Sequence, residues 1–247
     1  MAVSVAEEIR ALFSDLREVL ELESETGIRE FRVSERHPAW AGEKTKAVPG
    51  PEQGPSSLEE LRALIGDCKR CRLHRGRRHI VFGEGDPHAR LVFIGEGPGR
   101  QEDRTGKPFV GHAGELLTRI IAAMGLRRDQ VYICNVVKCR PPGNRDPEPD
   151  EAAACLPFLE AQVRLIQPEV ICVLGSVAGR NLLSKDFRIR RDRGKWQTYC
   201  GIPVMPTYHP AYLQRNPAAK RETWQDVQAV MGRLGLEVNR NGRKMRG

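Results

Sequence analysis

The sequence predicts an α/β protein: a three-layer α/β/α domain with a four-stranded, mainly parallel sheet, preceded by an N-terminal helical extension. Three observations point there. From residue 90 onward, short apolar runs alternate with helical patterns, which is the signature of a parallel sheet built from strand–helix units. The runs carry too few polar positions for one face to meet water, so helices should cover both faces. Glycines and unusual polar residues fall at the carboxyl ends of successive runs, where such a sheet holds its ligand.

The elements follow in order. Residues 5–24 place Ile9, Leu12, Phe13, Leu16 and Leu20 on one helical stripe. A single helix cannot bury its own stripe, so it should dock on the body or on a protein partner. Residues 25–57 lose this periodicity and end in AVPGPEQGPSS, which reads as a linker. The expected division is therefore 1–57 as leader and 58–247 as the functional domain. Ser57 with Glu60 resembles a capping box that opens a short helix at Leu58 and leads to Cys68 and Cys71. RLVFIG (90–95) reads as a strand, and Glu115–Met124 as a helix ended by Gly125. QVYICNVV (130–137) is the second strand, followed by a helix over Glu151–Ile166 with Pro157 inside it. EVICVLG (169–175) leads into a short helix over Ser176–Leu183. GIPVMPTYHP (201–210) is the fourth strand, and Arg221–Leu234 the last helix. There is no internal repeat.

Composition narrows the function classes. The chain has 247 residues, 40% hydrophobic and 29% charged, with no apolar run long enough to span a bilayer. The start, MAVSVAEEIR, is acidic where a secretory signal would be basic. A cytoplasmic, nucleoid-associated protein is expected. Its seven cysteines should then serve as thiols or metal ligands rather than disulfides. Residues 1–60 hold 7 Lys/Arg against 13 Asp/Glu, whereas residues 61–247 hold 33 against 19. A basic body suggests a polyanionic partner, most simply nucleic acid. Lys69, Arg70, Arg72, Arg75, Arg77 and Arg78 crowd one short stretch and suggest phosphate contact.

The first strand runs into Gly95-Glu96-Gly97-Pro98-Gly99, the second ends at Asn135, the third at Gly175-Ser176 and the fourth at Tyr208-His209-Pro210. Polar groups at successive strand ends indicate one shared pocket. The glycine spacing is wrong for a dinucleotide site, and about fifteen residues separate it from the next expected helix. These glycines better suit a tight backbone wall against a flat ligand, with Glu96 aimed inward. Cys68 and Cys71 form C-x2-C, and Cys139 and Cys155 are spaced for two further ligands. Spacing alone leaves zinc and iron–sulfur both open. Cys134, Cys172 and Cys200 read as small buried hydrophobes.

GEGPGRQEDRTGKPFVGHAGELL, NVVKCRPPGNRDPEPDEAAACLPFLEAQ and PTYHPAYLQRNP, together with the preceding C-x2-C, resemble the family 4 uracil-DNA glycosylases, the iron–sulfur members of their superfamily. The resemblance runs from about residue 58 to about 235 and excludes the leader. It implies a 4Fe–4S cluster on Cys68, Cys71, Cys139 and Cys155, in a structural role. It places Glu96 and Gly97 beside the scissile bond, and Glu102 where relatives wall off the uracil C5 edge. It has Phe109 stacking on the extruded base, Asn135 reading the Watson–Crick edge, Asn144 near the sugar and attacking water, and His209 near uracil O2. The local departure is Arg100-Gln101, where many relatives are acidic.

Elementary chemistry agrees. A base inside a duplex must be flipped out before its glycosidic bond can be reached, at a cost of a few kcal/mol. An aromatic platform such as Phe109 returns about 1–3 kcal/mol by stacking. An amide complements uracil's N3–H donor and O4 acceptor, and cytosine would leave it mispaired. A preorganised donor, for which His209 is the candidate, stabilises the anion that develops on uracil O2. Arg193, Lys195 and Arg215 are candidates for phosphate contact, and Ala211-Tyr212-Leu213 for a wedge into the base stack. The expected activity is hydrolytic, monofunctional removal of uracil from single- or double-stranded DNA by a monomer, which starts base excision repair. Two alternatives stand beside it. One is a non-catalytic iron–sulfur module associated with DNA damage or a polymerase. The other is a glycosylase for hypoxanthine or xanthine.

Overall fold

The computed structural model describes residues 54–237, so the helix expected over 5–24 and most of the linker expected over 25–57 lie outside the described residues. The first element is α1 (Leu58–Ile65), which buries Leu58, Leu61 and Ile65. Ser57 caps it by accepting from the Glu60 amide at 3.2 Å. The return half of the expected capping box is shifted by one residue. The Glu60 carboxylate accepts from the Ser56 amide at 2.7 Å and its hydroxyl at 2.9 Å.

The body then runs β1 (Glu84–Gly85), β2 (Leu91–Gly95), α2 (Arg100–Thr105), α3 (His112–Ala123), β3 (Tyr132–Asn135), α4 (Pro149–Ile166), β4 (Val170–Leu174) and α5 (Ser176–Leu182). It continues with α6 (Ile189–Asp192), β5 (Gln197–Tyr199), β6 (Ile202–Thr207), α7 (Pro210–Arg215) and α8 (Lys220–Arg233). The sheet has six strands in the order β1-β3-β2-β4-β6-β5, where four were expected. The four expected strands form its parallel centre, and β1 and β5 add antiparallel edges. Edges of two and three residues are too short to show a period in sequence. The stretch RQEDRT, expected as loop, is α2, so the glycine loop does lead into a helix. Its end is set by Gly106 in the left-handed region at φ 72°.

Alternation along β2 divides the core. Val92 and Ile94 face the layer of α1 and α4, packing with Leu61, Phe158 and Leu159. Leu91 and Phe93 face the layer of α3 and α8, with Leu117, Ile121, Val227 and Met231. Both faces are therefore covered, as the continuous apolar runs require. Because β3 and β4 lie on opposite sides of β2, the connections diverge there, and a crevice opens at the carboxyl ends of the strands. Register sets Gly95 opposite Asn135 across that end. Cys134 and Cys172 are buried as expected, but Cys200 is exposed. It occupies the β5–β6 turn at φ 50°, where the chain reverses outside the core.

Candidate active site and thiol centre

Four strand ends supply the crevice. β2 ends at Gly95, and a Cβ there would lie 2.5 Å from both Asn135 Oδ1 and Phe109 Cζ. Glycine is thus what lets the amide and the ring converge. Asn135 is 1% exposed, and its Oδ1 is buried with no hydrogen-bond partner among the described residues. An unmatched buried acceptor costs about 1–3 kcal/mol, so its persistence points to a ligand that completes it. The Phe109 ring lies 5.6 Å from the His209 ring, tilted by 34°.

Phe109 adopts φ 50°, an uncommon conformation for a bulky residue. Three neighbours hold it there. Glu102 Oε1 accepts from the Val110 and Gly111 amides, each at 2.9 Å. Arg128 donates to the Pro108 carbonyl at 2.9 Å and the Phe109 carbonyl at 3.1 Å. Gly114 packs so closely that a Cβ would sit 1.9 Å from the Phe109 carbonyl oxygen. The aromatic is part of the core: it is 7% exposed and joins the α3–α8 side.

His209 caps α7, its Nδ1 accepting from the Ala211 amide at 3.1 Å. A ring nitrogen that accepts carries no proton, so the neutral ring presents Nε2–H as donor. Burial pushes the His209 pKa down to about 4, with Arg215 adding to the effect and Glu102 opposing it. Glu96 follows Gly95, and burial pushes its carboxyl up to about 7, with Asp146 reinforcing and Arg180 opposing. Gly97 lets the loop lie on Val137, where a Cβ would come within 2.7 Å of Cγ2.

The predicted residues are not all gathered. Asn135, Phe109, His209 and Glu102 are linked by the contacts above. Asn144 stands on the exposed turn Pro142–Asn144 at φ 56°, and its Oδ1 accepts from Arg140 Nε at 2.7 Å. Arg193, expected at phosphate, is instead paired with Asp226 at 2.5 Å and lies over the Tyr208 ring.

The thiol centre lies against α4. Cys68, Cys71, Cys139 and Cys155 line one cavity with Ile65, Ile80 and Phe158. Arg77 donates to Cys139 Sγ at 3.3 Å, Arg70 to Cys68 Sγ at 3.4 Å, and the Lys138 amide to Cys155 Sγ at 3.3 Å. Much of the basic stretch thus serves the cysteines, and Arg72 pairs with Asp150 and Glu151. Burial pushes Cys155 up to about 12 and raises Cys71 and Cys139, so an added cation is needed to keep them as thiolates. Among the described residues, no three His, Cys, Asp or Glu side chains stand close enough to share one ion. Four cysteines lining one cavity make a thiolate donor set of the kind that both zinc and iron–sulfur clusters use.

A model of the uracil DNA glycosylase superfamily matches residues 82–228, which take in the crevice and two of the four cysteines. This chain belongs to that superfamily. A type-4 uracil-DNA glycosylase of Thermotoga maritima is 49% identical over 164 residues, covering 64% of this chain and 85% of the relative. Another of the same type, from Sulfurisphaera tokodaii, is 45% identical over 183 residues, 70% of this chain and 83% of the relative. A type-5 enzyme of Mycobacterium leprae reaches 30% over 227 residues, 72% and 98%. Within the superfamily the chain belongs with the type-4 members.

Two residues of this superfamily member escaped the sequence reading. Arg128 gives no periodic signal, because its partners are 19 and 20 positions away. Lys138 is 2% exposed and donates to the Asn135 carbonyl at 2.8 Å and to Gln162 Oε1 at 2.5 Å. Gln162 in turn donates to the Phe82 carbonyl and the Tyr132 hydroxyl. A lysine inside an apolar run, next to a cysteine, was the available clue: a buried amine is retained where its hydrogen-bond partners are fixed.

Proposed function

We propose that this chain removes uracil from DNA by hydrolysing the N-glycosidic bond of an extruded nucleotide. The observation that carries this reading is the buried, unpartnered Asn135 oxygen beside Phe109 and His209. Asn135 Oδ1 accepts the uracil N3–H and its amide nitrogen donates to O4. Phe109 supplies the stacking surface. The neutral His209 donates Nε2–H to O2 as negative charge develops there, and a donor in a closed site is worth far more than in water. Glu96, with its pKa near neutrality, holds a water or faces the cationic sugar as a carboxylate. Gly97 leaves room beside it, and Asn144 is assigned to the sugar side. A Glu102 carboxylate held by two amides cannot swing away, which suits a rigid wall at C5. A wall matters because one methyl in a loose pocket discriminates by only about 10–200-fold.

Cys68, Cys71, Cys139 and Cys155 hold a 4Fe–4S cluster in this reading. The cluster would tie the segment after α1 to the one after β3 and to α4. Elemental analysis should find iron and sulfide; stoichiometric zinc without iron would overturn this assignment.

The activity is tested by base release from oligonucleotides bearing U, T or C at one position. The parent should release uracil alone. Asn135→Asp should lose uracil release and gain on cytosine, because a carboxylate accepts from N4–H but cannot donate to O4. Glu102→Ala should gain some thymine release. A parent that leaves uracil intact in both single- and double-stranded DNA would end the proposal.

A further inference from the structure

Away from Asn135, a second cavity of about 170 Å³ is lined by Arg78, Arg100, Arg104, Arg140 and Asp103. That is room for several waters, each of which fills about 30 Å³ of liquid. The walls come from three separate segments. Arg100 and Arg104 stand one turn apart on α2, Arg78 follows the arginine that donates to Cys139, and Arg140 follows Cys139 itself. Asp103 braces them: it is 3% exposed, and its Oδ1 accepts from the Arg78 amide at 2.8 Å. Its carbonyl oxygen meets His79 Nδ1 at 2.8 Å. Among the described residues, none of the four guanidinium groups makes an ion pair with a carboxylate. Elsewhere the same chain pairs its arginines readily, as Arg90 with Glu169, Arg145 with Glu151 and Arg193 with Asp226. Unpaired cations around one cavity repel one another unless an anion joins them, and a guanidinium fork matches phosphate oxygens in pairs.

The cavity also adjoins the crevice. Arg100 directly follows the Glu96–Gly99 loop, and Arg140 donates Nε–H to Asn144 Oδ1 at 2.7 Å. We propose that this cavity holds one DNA backbone phosphate next to the extruded nucleotide, and that Arg140 links phosphate capture to the placement of Asn144. The proposal rests on the glycosylase reading for its substrate and adds a defined anchor to it. With Nε on Asn144, the remaining guanidinium N–H groups of Arg140 are available to phosphate oxygens. A phosphate seated there fixes the guanidinium, and the guanidinium fixes the amide of Asn144 with its nitrogen left to face the sugar. Arg140 is in this sense a positioning residue.

The test uses the full-length protein with Arg78→Gln, Arg104→Gln, the double variant and Arg140→Gln. The first two side chains are exposed and, among the described residues, donate no side-chain hydrogen bond, so folding should survive. Duplexes carry a single uracil and one neutral methylphosphonate, moved along the phosphates flanking it. The parent should lose roughly tenfold in KM when one particular phosphate is neutralised. The double variant should show that loss on the unmodified duplex and little more on the neutralised one. Each arginine removed should also lower the salt slope of binding to uracil-free duplex by about one. Arg140→Gln should lose in KM and, unlike the other two, in the saturating rate. A double variant with parental KM and salt slope overturns the proposal, as does a loss equal at every phosphate position. A parent that excises no uracil overturns the glycosylase reading alone, because the salt slope on uracil-free duplex still reports the cavity.

Discussion

Glu96 and His209 carry opposite protonation shifts in one crevice, and this makes them separable by pH. The Glu96 carboxyl stands at about 7 in the fold against an ordinary 4.5, so the folded chain binds more protons than the unfolded one between those values. Its contribution favours the fold at low pH and is lost as pH rises from 4.5 through about 7. His209 stands at about 4 against 6.5, so the folded chain binds fewer protons, and stability is lost as pH falls from 6.5 through about 4. Over their shared window the two slopes oppose. The parent should therefore be nearly flat in stability there, Glu96→Gln should grow more stable with rising pH, and His209→Gln less stable. Denaturant midpoints of the three proteins across about pH 5–6.5 check the signs. Parallel slopes in all three would show that neither group is shifted as described. Both residues were legible in the sequence because each directly follows an apolar run. Their shifted protonation was not, since it arises first from burial in the folded crevice, with the charges of Arg215 and Asp146 adding to it.

At the scale of the element, the segment from Pro108 to Gly111 is held from outside itself. Arg128 supplies two hydrogen bonds to its carbonyls, and Glu102 accepts from two of its amides. Arg128→Met keeps much of the side-chain bulk and removes both donors. It should cost about 1–3 kcal/mol of stability and raise KM for uracil-containing DNA, because Phe109 would no longer be kept at its positive φ. Thermal unfolding and steady-state excision measure the two effects, and a variant with parental KM would show that the ring holds its place unaided. The strands and long helices of the body were legible from apolar periodicity, down to Pro157 inside α4. The short elements α2, α6, β1 and β5 were not: runs of two to six residues contain less than two turns or three pleats, too little for a period to show. Arg193 was misread for another reason. Composition marks a cation as available, and only the fold reveals that Asp226 and Thr207 form a buried pairing site beneath it.

For the whole molecule, we expect the functional unit to begin near Ser56, since α1 draws its cap from Ser57 and its first-turn partner from Ser56. A chain shortened to start at Pro55 should fold, bind iron and keep most of its excision activity. Loss of cooperative unfolding on that truncation would move the boundary into the preceding residues. The two edges of the sheet bear on how such a protein behaves at high concentration. A parallel sheet that ended on a long, bare strand would offer its unpaired amides and carbonyls to a second molecule. Here the outermost strands are Glu84–Gly85 and Gln197–Tyr199, two and three residues long, and both run against the grain of the centre. Little ladder remains for another copy to extend. The sheet is thereby shielded from strand-to-strand association, and lengthening either edge would restore a ladder for a second copy to extend.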